Sequence, residues 1–123
     1  MKLSPGEEQL MHIIWKSGKV FMKDLLDSFD EPKPAATTVS TLLKRMQEKG
    51  CIGYTLYGNS RQYYPLIKKE DYFSRHFKGI IKNYFDNSSM QFASFFTSST
   101  NLSASELEGL KKIINEQLKQ KKK

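Results

Sequence analysis

Hydroxyl and cationic side chains recur at helical spacing between Pro34 and Gly50. At about 100° per residue, Thr37, Thr41, Lys44 and Glu48 fall along one line, flanked by Thr38, Ser40 and Arg45. Threonine offers a hydroxyl and a methyl to base edges in a major groove, and Lys and Arg one turn on can neutralise phosphates. A solvated face beside a capping cluster would have the same composition, so from this helix alone both readings stand. A second candidate is Arg61, a permanent charge set directly after the turn residues Gly58, Asn59 and Ser60.

Other chemistry finds little support. The single cysteine, Cys51, can form neither an internal disulfide nor a Cys-rich metal cage, and packing is its expected role. His12 and His76 lie in no ligand spacing such as HExxH. His12 is expected to be exposed, one turn from Lys16, and His76 to be a helix or interface residue. No carboxylate pair, nucleophile with base, phosphate loop or metal set occurs at a usable spacing, so neither an enzyme nor a cofactor is expected.

The elements that must carry these residues follow from period and punctuation. Ser4, Pro5 and Glu7 form a capping-box start, Leu10, Met11, Ile13 and Ile14 repeat at helical spacing, and Gly18 stops a first helix over 5–17 with Trp15 as a core anchor. After a link at Lys19, Val20 and Phe21, the residues Met22, Leu25, Leu26 and Phe29 make a short second helix. Pro32 and Pro34 break it into a turn. The third helix, 35–49, packs Val39, Leu42, Leu43 and Met46, opposite its hydroxyl face, and ends at Gly50. The period then becomes two through Tyr57, and resumes after the turn from Arg61 to Pro65 as a hairpin. Three helices followed by a hairpin is the order of a winged helix-turn-helix, in which helix three enters the major groove and the hairpin tip meets the backbone.

From Lys69 the pattern is helical again, with Phe73, Phe77, Ile80, Ile81, Tyr84 and Phe85 in one stripe. A short apolar segment holds Met90, Phe92, Phe95 and Phe96, and a second capping box at Ser103 and Glu106 opens a helix with Leu107, Leu110, Ile114 and Leu118. A region of about 55 residues cannot hide so much apolar surface alone, so a second copy is the expected receiver. The expected dimer interface is Phe73, Phe77, Ile80, Tyr84, Phe95, Phe96, Leu107, Leu110, Ile114 and Leu118. The fold class is therefore mainly α with a small β-hairpin. It comprises a winged helix-turn-helix DNA-binding domain over 1–67, a C-terminal helical dimerisation region over 68–118, and a Lys-rich mobile tail over 119–123.

The 123 residues are 38% hydrophobic and 27% charged, a globular composition, and the net charge of +7 suits a polyanionic partner. The charge does not locate a binding face, because residues 1–66 hold 9 Lys or Arg against 7 Asp or Glu, and 67–123 hold 11 against 6. No apolar run approaches a bilayer span and the start lacks a signal-peptide core, so a cytoplasmic protein without membrane insertion is expected.

The pattern resembles the penicillinase repressor family (BlaI/MecI-type), small bacterial transcriptional repressors with an N-terminal winged helix and a C-terminal helical dimerisation region. The resemblance rests on Leu3, Ser4, Pro5, Glu7, Glu8, Met11 and Trp15 through Gly18, and most specifically on Lys33, Pro34, Ala35, Thr37, Thr38, Val39, Thr41, Leu42, Leu43, Arg45, Lys49 and Gly50. Tyr64 and Pro65 in the hairpin, and Leu102, Ser103, Glu106, Leu107, Leu110 and Ile114 near the end, extend it. It implies a repressor acting as a homodimer on a palindromic operator in double-stranded DNA, released by an upstream signal such as proteolysis, with a membrane sensor protease as upstream partner. DNA-binding residues would be Thr37, Thr38, Ser40, Thr41, Lys44, Arg45 and Arg61. The rival reading is a winged-helix module that binds protein instead of DNA.

Departures from the family are specific. Phe21 stands where members usually have a Thr cap for the second helix, and Ala36 where a larger polar or aromatic residue is common. The paired C-terminal cysteines of copper-responsive relatives have no counterpart. Phe95 and Phe96 occupy the place of the Asn-Phe cleavage site of the β-lactam-responsive repressors.

Overall fold

A computed structural model of the chain describes residues 2–122. The order of elements is α1 (Pro5–Ser17), β1 (Val20–Phe21), α2 (Met22–Asp27), α3 (Ala36–Glu48), β2 (Ile52–Tyr57), β3 (Ser60–Pro65), α4 (Lys69–Tyr84), α5 (Ser89–Ser99) and α6 (Ala104–Lys121). Two compact units divide after Ser74, so α4 begins in the first and continues into the second.

In the first unit, α1 starts where its capping box demands. The Glu7 amide donates to Ser4 Oγ at 3.3 Å, and the Ser4 amide donates to Glu7 Oε1 at 2.9 Å. Its apolar face closes over Leu10, Met11 and Ile14, which meet Leu25 of α2 and Val39, Leu43 and Met46 of α3 in one core. Leu42, expected in the buried stripe, is only half-buried and lies beside Gly6, where an added Cβ would come within 3.2 Å of Leu42 Cδ1. The bare glycine thus lets α1 and α3 approach closely.

The hairpin is part of a three-stranded antiparallel sheet in the order β1-β3-β2. Val20 and Phe21, read from sequence as a link, pair with Tyr63 and Gln62. Val20, Ile52 and Tyr63 are buried against the helices. The second helix ends at Asp27 instead of Phe29, since Ser28 turns its hydroxyl and amide back to the Asp24 carbonyl.

The expected domain border at residue 67 moves to Ser74 because the first turn of α4 is anchored to α1. The Trp15 indole N–H donates to the Ile67 carbonyl at 2.9 Å, and its ring lies 5.8 Å from Tyr72 and 5.9 Å from Phe73. The Tyr72 hydroxyl donates to Glu8 Oε2 at 3.0 Å. Phe73, expected at the dimer interface, therefore packs within the first unit.

In the second unit, Phe77 of α4 and Phe85, just past its end, meet α5 through Phe92, and Phe85 also contacts Phe95. The apolar segment around Phe92 is thus a full helix, capped by Ser88 accepting from the Gln91 amide. A second capping box at Ser103 starts α6 as expected. Lys119 and Lys121, expected in a mobile tail, lie in its last turn, where cations complement the helix dipole. Lys123 lies outside the described residues.

The only buried charged side chain among the described residues is Glu7. Lys49, the C-cap of α3, donates its Nζ to Glu7 Oε1 at 2.7 Å and to the Lys2 carbonyl at 2.9 Å. Burial pushes the Glu7 carboxyl up, but the bonds from Lys49 and Ser4 outweigh it and hold the group below its ordinary value. Its stabilising contribution is therefore present above the ordinary carboxylate range and lost as pH falls through the lowered value. Lys49→Met should cost about 2 to 3 kcal/mol at neutral pH by leaving a buried carboxylate without its cation. Protonation relieves that charge, so the deficit should shrink on acidification. Thermal unfolding of both chains from neutral to acid pH checks this, and a deficit independent of pH would exclude the Glu7–Lys49 pair as its source.

Candidate nucleic-acid interface

With Val39, Leu43 and Met46 held in the core, α3 turns its other side to solvent, and Thr37, Thr38, Ser40, Thr41, Lys44 and Arg45 are all exposed there. The Thr41 hydroxyl donates back to the Thr37 carbonyl at 3.0 Å, which leaves its methyl and oxygen lone pairs for an outside partner. Ala35 gives no side-chain cap and the first turn contains no acidic residue, so the positive end of the helix is left open. That feature was readable as the lack of Ser, Thr, Asp or Asn at position 35.

The hairpin tip is a two-residue turn at Gly58 and Asn59, because Ser60 already pairs with Tyr57. Gly58 supplies the positive φ of 62° that the turn requires. Arg61 follows in β3, opposite Leu56, exposed, and without an ion pair among the described residues. Its guanidinium carbon sits 4.4 Å from the centre of the Tyr54 ring.

A shallow cleft joins these elements within the first unit. Ser40 of α3 and Arg61 of β3 line it together with Lys23 of α2, Asn59 and Ser60. Of the seven residues read from sequence as DNA-binding, the cleft brings together Ser40 and Arg61, while the other five stand along the open face of α3. Lys23 and Asn59 were missed. The signal for Lys23 was its place at the second position of α2, a cation in the first turn of the helix that precedes α3. The signal for Asn59 was its place in the turn.

In the second unit, Phe77, Tyr84, Phe95, Phe96, Leu107, Ile114 and Leu118 are exposed, and Ile80 and Leu110 are half-buried. Met90 and Ile113, which are 80% and 54% exposed, extend this apolar surface beyond the expected set. Among the described residues no group of three or more His, Cys, Asp and Glu could hold a metal, and no helix is long and apolar enough to cross a membrane.

A sequence model of the penicillinase repressors matches residues 3–116. The chain belongs to the penicillinase repressor family. Among its relatives, the methicillin resistance regulatory protein MecI of Staphylococcus aureus strain N315 is 25% identical over 115 residues, covering 93% of this chain and 94% of that protein. The penicillinase repressor of Bacillus licheniformis is 22% identical over 122 residues, covering 98% and 95%. Among solved structures, the solution structure of the DNA-binding domain of the repressor BlaI is 25% identical, with a TM-score of 0.52. It covers 58% of this chain and 88% of that domain, and the winged-helix fold is thereby shared.

Within this family the chain's one cysteine is closed off. Cys51 is fully buried and its Sγ donates to the Met46 carbonyl at 3.1 Å, while burial pushes the thiol up from its ordinary value. The folded chain should therefore resist a thiol reagent at neutral pH and take up one equivalent on unfolding. Rapid labelling of the native chain would contradict this packing.

Proposed function

We propose that the chain is a sequence-specific DNA-binding transcriptional repressor, acting as a homodimer on a palindromic operator and released by an upstream signal such as proteolysis. The observation that carries the reading is the exposed face of α3, in which four hydroxyl residues run from an uncapped helix start to Lys44 and Arg45. Hydroxyls and threonine methyls suit base edges, and the cations suit phosphates on either side. Arg61 and Lys23, bordering the cleft beside Ser40, supply further positive charge to a flanking backbone. The names of the relatives agree: one is a methicillin resistance regulatory protein, one a penicillinase repressor, and the solved domain is described as the DNA-binding domain of a repressor.

Homodimerisation is supported by the second unit, where α5, α6 and the α4 segment bury no residue completely while large apolar side chains remain open to water. A second copy with the same surface would cover it, and two α3 helices related by a dyad would read two half-sites. A membrane sensor protease remains the upstream partner implied by the family, and cleavage would have to use a site other than an Asn-Phe pair at Phe95 and Phe96.

Fluorescence anisotropy with selected genomic fragments and random duplex, at two salt concentrations, tests the reading. Lys44→Ala should weaken both duplexes comparably and lower the salt slope by about one. Thr41→Ala should instead reduce discrimination between them, by about 1 to 3 kcal/mol. If both variants bind like the parent, α3 does not read DNA.

Sedimentation of the full chain at micromolar concentration should give a dimer, and Ile114→Glu should return it to monomer. A folded monomeric parent would remove the palindromic-operator expectation.

A further inference from the structure

Arg61 has a fixed neighbour that the DNA-binding reading does not use. In the register of the hairpin, Leu56 lies opposite Arg61 and Tyr54 opposite Tyr63, so Arg61 and Tyr54 are diagonal neighbours on one face of the strand pair. The guanidinium carbon is 4.4 Å from the Tyr54 ring centre, within the range of a cation–π contact. The Tyr54 ring in turn lies 6.0 Å from that of Tyr63, which is 6% exposed and pairs with buried Val20 on its other side. A chain of contacts, Tyr63 to the tilted Tyr54 ring and Tyr54 to Arg61, therefore runs from the core of the first unit to the charged group near the hairpin tip.

We infer that Tyr54 is a positioning residue, which holds the Arg61 guanidinium by its face and presents its edge to the phosphates or narrow minor groove beside the α3 footprint. A guanidinium donates through N–H groups in its own plane, so stacking on a ring leaves the whole fork available to an anion. An exposed Arg side chain otherwise loses much rotamer freedom when it docks, and a preformed stack reduces that loss. Arg61 has no carboxylate partner among the described residues that would have to be displaced first. It also borders the cleft that contains Ser40 of α3, so the charge Tyr54 holds is next to the proposed reading helix. This role rests on the proposed DNA-binding function.

A double-mutant cycle on the full-length chain tests it. Tyr54→Leu should weaken binding of a selected duplex by about two- to fivefold, the size of an exposed cation–π contact, and Tyr54→Phe, which keeps the ring face, should restore parental affinity. In the Arg61→Ala background, Tyr54→Leu should cause no further loss. Unfolding temperatures and sedimentation must stay close to the parent, and the upfield ring-current shift of the Arg61 side-chain protons should disappear in Tyr54→Leu and persist in Tyr54→Phe. An equal loss with and without Arg61, or a loss in Tyr54→Phe as large as in Tyr54→Leu, would overturn the positioning role while leaving DNA binding intact. If the parent itself binds no duplex, the DNA-binding reading falls and this role with it, although the ring-current shift would still report the stack.

Discussion

A carboxylate buried with one cation to neutralise it sets the geometry of the first unit. Glu7 belongs to the first turn of α1 and Lys49 closes α3, so their 2.7 Å contact ties the beginning of one helix to the end of the other. Glu7 Oε2 has no further partner among the described residues, which makes the Lys49 bond the main compensation for burying the charge. Leu42 against Gly6, and Val39, Leu43 and Met46 in the core, then leave α3 a single orientation. Its hydroxyl and cationic face is exposed because every other side is occupied.

The same core extends to the other parts of the candidate interface. Tyr63 is shared between the helices and the sheet, and through the pairing of β2 with β3 it fixes where Arg61 leaves the surface. On the far side, Trp15 anchors the chain leading into α4 by a hydrogen bond to the Ile67 carbonyl, and the start of α4 by aromatic contacts with Tyr72 and Phe73. From Arg75 onward the chain forms a second unit in which aromatic side chains of the α4 segment and α5 meet one another but none is fully buried. This contrast between a closed first unit and an apolar, open second unit is what a chain that completes its core with a second copy would present.

Much of this was legible in the sequence where local chemistry decides structure. Ser4, Pro5 and Glu7 fixed the start of α1, Gly18 and Gly50 ended helices at φ values of 79° and 80°, and the stripe through Val39, Leu43 and Met46 oriented α3. What escaped depends on residues distant in the chain. Two residues cannot show a strand period, so β1 was invisible until Tyr63 came beside Val20. Glu7 fulfils a capping box whether exposed or buried, and only Lys49, 42 positions away, reveals its burial. Phe73 shares the apolar stripe of α4, and the sequence did not show that Trp15 would claim it. The helix α5 was obscured by its Ser, Thr and Phe content, which is poor in intrinsic helix propensity.

The most direct test of this account is residue-level mapping of the DNA contact by amide chemical shifts in the full chain as a selected duplex is added. The account predicts the largest changes from Thr37 to Arg45 and from Asn59 to Arg61, with Lys23 joining them and the α6 amides little affected. Large changes confined to residues 75–122, with the α3 amides unmoved at saturation, would contradict it.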